Sequence, residues 1–151
     1  MPLSIEGAQD LFDRDPRQFQ HWVVELAGGF SGTKHSGDQG IDGRIHFETK
    51  EGLKNMVISV KGGTLTPAFV RELRGTMERE QDTEMGGCIC LKEPTKGMWQ
   101  EVSKAGMYNY LGHDYPRLQI RIAQDLLDGK GFETPSKIET LNWQKQYVMP
   151  L

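Results

Sequence analysis

Cysteine is scarce in this sequence, and the two that occur, Cys88 and Cys90, lie two positions apart in an apolar stretch. At that spacing on a strand both side chains point the same way, which reads as two buried thiols of a reducing compartment rather than a disulfide. There is no C-x-x-C pair, and the four histidines His21, His35, His46 and His113 are scattered, so nothing indicates a structural zinc. Long apolar runs are missing too: none approaches the ~20 residues needed to span a bilayer. The opening stretch MPLSIEGAQD lacks the basic, hydrophobic character of a secretory leader. Together these absences predict a cytoplasmic protein with no membrane partner. A basic excess is also absent, the formal net charge being −3. That balance neither supports nor excludes a nucleic-acid partner, because acids that hold a metal offset the cations that meet phosphate. The chain contains no P-loop, no G-x-S-x-G, no G-x-G-x-x-G and no internal repeat.

What is present is concentrated in Gly37–Gly63, which reads GDQGIDGRIHFETKEGLKNMVISVKGG. Ile41, Gly43, Ile45 and Phe47 alternate with Asp42, Arg44, His46 and Glu48. After a polar interval containing Gly52, Met56, Ile58 and Val60 alternate with Val57, Ser59 and Lys61. Alternation of this kind marks half-buried strands, and the interval marks a turn, so the stretch predicts an antiparallel hairpin. A turn centred on Glu51–Gly52 sets Asp42 opposite Lys61 and Arg44 opposite Ser59, all on one face. An Asp/Lys pair so placed is either a catalytic pair or a cross-strand salt bridge. Glycines before Asp42, and Gly62–Gly63 after Lys61, let backbone and ligand come close.

The rest of the chain supplies the remaining layers. The first 14 residues carry little signal. Asp15–Pro16 opens a helix whose stripe is Phe19, Trp22, Val23 and Leu26 and which ends at Gly28–Gly29. Phe30–His35 reads as a linker or short strand. Thr66–Pro67 opens a second helix reaching about Glu80, with Phe69, Val70, Leu73 and Met77 on its apolar side. Gly86–Leu91 reads as a central buried strand. Thr95 caps a helix from Lys96 to about Ala105. Gly106–Pro116 reads as an aromatic loop, Leu118–Ile122 as a last strand, and Ala123–Leu127 as a short helix. Residues 1–128 are thus expected to form one domain, with 129–151 as an arm or tail. A hairpin followed by strand–helix alternation predicts the α/β class, with a mixed β-sheet flanked by α-helices.

The order G-D-x-G-I-D-G, then a strand ending in V-K, resembles the PD-(D/E)XK nucleases, most of all their Mrr-like restriction endonuclease branch. The runs SVKGG and R-E-L-R-G-T-M-E-R-E are similar to nuclease-like domains found beside adenine DNA methyltransferases, and the resemblance spans roughly residues 15 to 127. It implies a restriction-endonuclease-like fold and a metal-dependent DNA endonuclease acting in restriction or defence. Mg²⁺ or Mn²⁺ would be held by Asp42, by Asp38 and by the backbone carbonyl of Val60. Asp42, Ser59 and Lys61 would be catalytic, with Lys61 orienting water or stabilising developing charge. DNA would meet Arg44, Gly62, Arg71, Arg74 and Lys96. A DNA methyltransferase partner is the association it suggests, and double-strand cutting, which needs one active site per strand, suggests a homodimer.

Two positions depart from that family's pattern. Ser59 stands where Glu, Asp or Gln is usual, and a hydroxyl binds Mg²⁺ far more weakly than a carboxylate. Gln20 stands where the first helix often carries an acid. Glu25 lies about 140° further round that helix and cannot simply replace it. Either acids from elsewhere (Asp38, Glu25 or Glu48) complete the site, or the domain is a catalytically impaired nucleic-acid-binding or partner-docking module.

Overall fold

The computed structural model describes residues 1–31 and 40–136. Asp38, His35 and residues 137–151 lie outside the described residues. In chain order the elements are α1 (Ile5–Arg14), α2 (Pro16–Leu26), β1 (Gly43–Thr49), β2 (Gly52–Lys61), α3 (Pro67–Arg79), β3 (Thr83–Cys90), α4 (Lys96–Ser103), β4 (Met107–Tyr110), β5 (His113–Pro116), β6 (Leu118–Ile122) and α5 (Ala123–Leu127). The main sheet runs β1-β2-β3-β6, with β1 antiparallel to β2 and the other neighbours parallel. This is a mixed sheet flanked by helices, as the order of elements predicts.

Alternation along the strands builds two apolar layers. Ile45, Phe47, Met56, Ile58, Met85 and Ile89 meet Phe19, Trp22, Val23 and Val24 of α2 and Ala8 and Leu11 of α1. On the opposite face, Val57, Cys88, Cys90, Leu118 and Ile120 meet Phe69, Val70, Leu73 and Met77 of α3 and Met98 of α4. Both cysteines are free and buried, on the same side of β3. Asp15 caps α2, its Oδ1 accepting from Gln18 N–H at 3.1 Å, and Thr95 Oγ1 caps α4 by accepting from Met98 N–H at 3.2 Å. Leu26, expected on the apolar stripe of α2, is instead exposed at its end.

The hairpin turns one residue earlier than symmetric counting of the sequence suggests. Thr49 pairs with Gly52, leaving Lys50–Glu51 as the two-residue turn. The Thr49 hydroxyl fixes it, accepting from Glu51 N–H at 3.1 Å and donating to the Gly52 carbonyl at 2.8 Å. Gly52 adopts φ 114, a conformation that disfavours any side chain there. The register therefore slips by two relative to expectation: Arg44 faces Val57, not Ser59, and Gly43 faces Ile58. A slip of two keeps every side chain on its predicted face.

The low-signal N-terminal segment and the expected aromatic loop both form regular elements. The first residues form α1, capped by Ser4, whose Oγ accepts from Gly7 N–H. Its Phe12 meets Phe19 of α2 edge to face at 5.6 Å. The expected aromatic loop is a two-stranded ribbon, β4 and β5, closed by Leu111 and Gly112 with φ 52 and 81. Positive φ at both positions is what the twist-matched two-residue hairpin turn requires. Tyr108 packs toward Phe47, and the Tyr110 hydroxyl accepts from Lys50 N–H at 2.8 Å, which ties the ribbon to the hairpin turn.

Packing also continues past residue 128. Phe132 is buried against β3, where the bare Gly87 makes room for its ring. Gln119 Nε2 donates to the Glu133 carbonyl, and Glu133 N–H donates to Gln119 Oε1, both at 2.8 Å.

Close approach is sharpest at the start of β1. A Cβ on Gly43 would lie 2.5 Å from Val24 Cγ1 and 2.8 Å from the Phe30 carbonyl oxygen. Phe30 exchanges backbone hydrogen bonds with Arg44 there, at 2.9 and 3.0 Å, so that side is pinned. Gly43→Ala is expected to cost about 1–3 kcal/mol by overpacking. A urea titration with an unchanged midpoint would show that α2 yields freely instead.

Candidate functional site

Asp42 enters the sheet one residue before β1. Its N–H donates to the Ile58 carbonyl at 2.8 Å, and its Oδ2 accepts from Val60 N–H at 2.7 Å. The register places it beside Ser59, which is buried. Burial is the dominant influence on the Asp42 carboxyl and pushes its pKa up to about 6, against the opposing pull of the Val60 N–H and the Ser59 hydroxyl. The carboxylate is thus spent mainly on holding the end of β2.

Lys61 closes β2 and is exposed. It makes no ion pair with Asp42, so the cross-strand bridge is not formed. Gly62 is buried, and the space its missing Cβ leaves is occupied by the Phe12 ring, 2.3 Å from where that atom would stand. The glycine expected to admit a ligand admits α1. At the neighbouring strand end, Leu91 N–H donates to the Lys61 carbonyl at 3.2 Å. Lys92 and Lys96 follow, both exposed. The first turns of α3 and α4 meet alongside: a Cβ on Gly97 would come within 2.7 Å of Pro67 Cγ.

The arginines are arranged differently. Arg44 Nη2 bonds Glu80 Oε1 at 2.7 Å and its Nη1 bonds Asn55 Oδ1 at 3.0 Å. Its strand partner Val57 lies four positions before Lys61, roughly 13 Å along the strand. Arg71 pairs with Glu101 at 3.1 Å, and Arg74 with Glu78 at 3.4 Å. All three guanidinium groups on which phosphate contact was expected have a carboxylate partner. By contrast, Lys61, Lys92 and Lys96 have none among the described residues.

The donors around Asp42 can be compared with what a hard divalent cation needs, namely several oxygen ligands including carboxylates. Ser59 supplies a neutral hydroxyl, and Val60 presents its N–H to Asp42. Gln20 brings no charge, and Glu25 is engaged with His21 at 3.1 Å. Among the described residues no three His, Cys, Asp or Glu side chains come together. The described donors around Asp42 are thus one carboxylate, one hydroxyl and backbone groups.

The family described as NACHT-associated inactive Restriction Endonuclease 1 matches residues 16–118, more than half of the chain. The chain belongs to that family. Its match begins at α2 and ends at β6, and so contains the hairpin, both crossover helices and the aromatic ribbon. Among solved structures, the MspJI restriction endonuclease in complex with a 27-mer oligonucleotide is similar at 14% identity and a TM-score of 0.48. The match covers 82% of this chain and 29% of that one, so the chain spans less than a third of that protein's length. Comparison with the curated proteins gave no match.

Within this restriction endonuclease-like domain, several residues that shape the site are not legible in the sequence. Phe12 was hidden because α1 was. Glu80 lies 36 positions from Arg44, so nothing local pairs them. Of the Arg44, Arg71 and Arg74 pairs, only Arg74–Glu78 has the i,i+4 spacing that a helix wheel exposes.

Proposed function

We propose that this domain keeps the restriction endonuclease-like fold of the PD-(D/E)XK, Mrr-like kind but binds nucleic acid without cutting it. The observation that carries the reading is Ser59: beside Asp42, two positions before Lys61, stands a hydroxyl in place of a second carboxylate. The description "inactive" in the family's name supports the same reading. Nucleic-acid binding rests on the strand-end lysines Lys61, Lys92 and Lys96, which lack carboxylate partners, whereas Arg44, Arg71 and Arg74 are neutralised within the fold. "NACHT-associated" points to a NACHT-containing setting for the domain. A methyltransferase partner rests on resemblance alone, and a homodimer on the need of double-strand cutting for one active site per strand.

The test pairs cleavage with binding. Supercoiled plasmid incubated with the protein and Mg²⁺ or Mn²⁺ is expected to stay supercoiled. Affinity for DNA is expected to fall steeply with salt as phosphate contacts release counterions. Linearisation that disappears in Asp42→Ala and Lys61→Ala would replace this reading with a metal-dependent endonuclease in which Asp42 anchors the ion. Restoring the missing acid is the complementary experiment. Ser59→Glu is expected to tighten Mn²⁺ binding by about tenfold, since affinity follows ligand charge count, measured by calorimetry. Equal binding by both proteins would show that Ser59 is not what limits the site.

A further inference from the structure

The first turns of α4 carry a half-exposed tryptophan that belongs to neither core cluster. Trp99 is 47% exposed, while Met98 beside it is fully buried. On the helix wheel Trp99 shares its outer face with Lys96, Gln100 and Ser103, all exposed. It points away from Gly97 and Glu101, which face α3 through Pro67 and Arg71. No other large apolar residue of α4 is exposed. A protein-docking face would be expected to offer several apolar anchors around such a residue. This one offers Lys96 one turn back and, in the preceding loop, Lys92 followed by the exposed Glu93, neither lysine ion-paired among the described residues.

We propose that Trp99 is a stacking platform for an unpaired base, with Lys96 and Lys92 holding the flanking phosphates, so that the domain prefers single-stranded nucleic acid to duplex. The inference rests on the nucleic-acid reading above and adds the class of strand. An aromatic face accepts any base, and a duplex keeps its bases stacked inward, out of reach of a side chain on a helix surface. Side chains at i and i+3 on a helix sit roughly 5–6 Å apart, so Trp99 and Lys96 can engage one nucleotide by its base and its phosphate together.

The experiment compares a fluorescein-labelled oligo-dT 20-mer with a duplex of equal length, by anisotropy at low salt. Wild type is expected to bind the single strand more tightly. Trp99→Ala is expected to weaken single-strand binding about tenfold and to leave duplex binding unchanged, while Trp99→Phe keeps most of the affinity. Lys96→Ala and Lys92→Ala are each expected to flatten the salt dependence of single-strand binding by about 0.7 in slope. Unchanged single-strand affinity in Trp99→Ala overturns the proposal and leaves the nucleic-acid reading standing. Equal losses for strand and duplex, or in Trp99→Phe as well, overturn it as an effect on the fold. If wild type binds neither probe, both readings fall.

Discussion

Asp42→Asn is expected to stabilise the protein at pH 8 and to change little at pH 4. The folded-state pKa of Asp42 is raised from 3.8 to about 6, so the folded protein holds that proton more tightly than the unfolded chain does. The stability tied to it is fully present below the unfolded value and is lost as pH rises through about 6. Above that, the wild type carries a half-hidden charge with no cation against it, and about two pKa units correspond to roughly 3 kcal/mol at most. Asparagine keeps an oxygen for the Val60 N–H and carries no charge. A gain of roughly 5–10 °C in Tm at pH 8, shrinking toward zero at pH 4, is the expected result in thermal melts across that range. A loss of stability at pH 8 would mean that the charge-assisted bond to Val60 outweighs the cost of burial.

The second large effect lies at the other end of the chain. Phe132→Ala is expected to destabilise the domain by about 3–5 kcal/mol, the usual cost of removing a buried aromatic ring. The ring sits against Gly87 in the middle strand, close to Met56, and the Arg121 guanidinium stands 5.5 Å from its centroid. Termination after residue 128 is expected to cost at least as much, because Gln119 would also lose both hydrogen bonds to Glu133. A denaturant titration in which the shortened protein matches the full chain would instead place the whole domain in residues 1–128.

Which parts of this were legible follows from the range over which each signal acts. The two faces of the hairpin were legible because Ile45, Phe47, Met56 and Ile58 alternate, and an even slip of register leaves alternation intact. The register itself was not, because it depends on which two residues turn, and the bond between Thr49 and Gly52 decides that. The α3 stripe announced itself through Phe69, Val70, Leu73 and Met77. In α1 the inward residues are Ile5, Ala8, Leu11 and Phe12, a weaker stripe with Ser4 as its one terminal marker. The ribbon was written in Leu111–Gly112, read as part of a loop since Tyr108, Tyr110 and Tyr115 dominate the composition. Phe132 stood alone in a polar stretch, and a lone aromatic has no period. At the candidate site, Asp42, Ser59 and Lys61 were identified by type and order. The missing ion pair between Asp42 and Lys61, the Phe12 cover on Gly62 and the Arg44–Glu80 pair come from tertiary contacts that no local window contains.

The two thiols of β3 make the molecule its own stopwatch. Cys88 and Cys90 have no solvent exposure, and their strand lies between β2 and β6. Burial pushes the Cys90 pKa up to about 12 and that of Cys88 up as well, so the folded protein presents almost no thiolate to an electrophile. Alkylation must wait for α3 and α4, which cover that face of the sheet, to lift from β3. The rate of labelling by iodoacetamide therefore counts openings of the helix layer over the sheet. A cysteine introduced at the surface would be modified long before either native thiol, which allows site-selective attachment of a probe with Cys88 and Cys90 left in place.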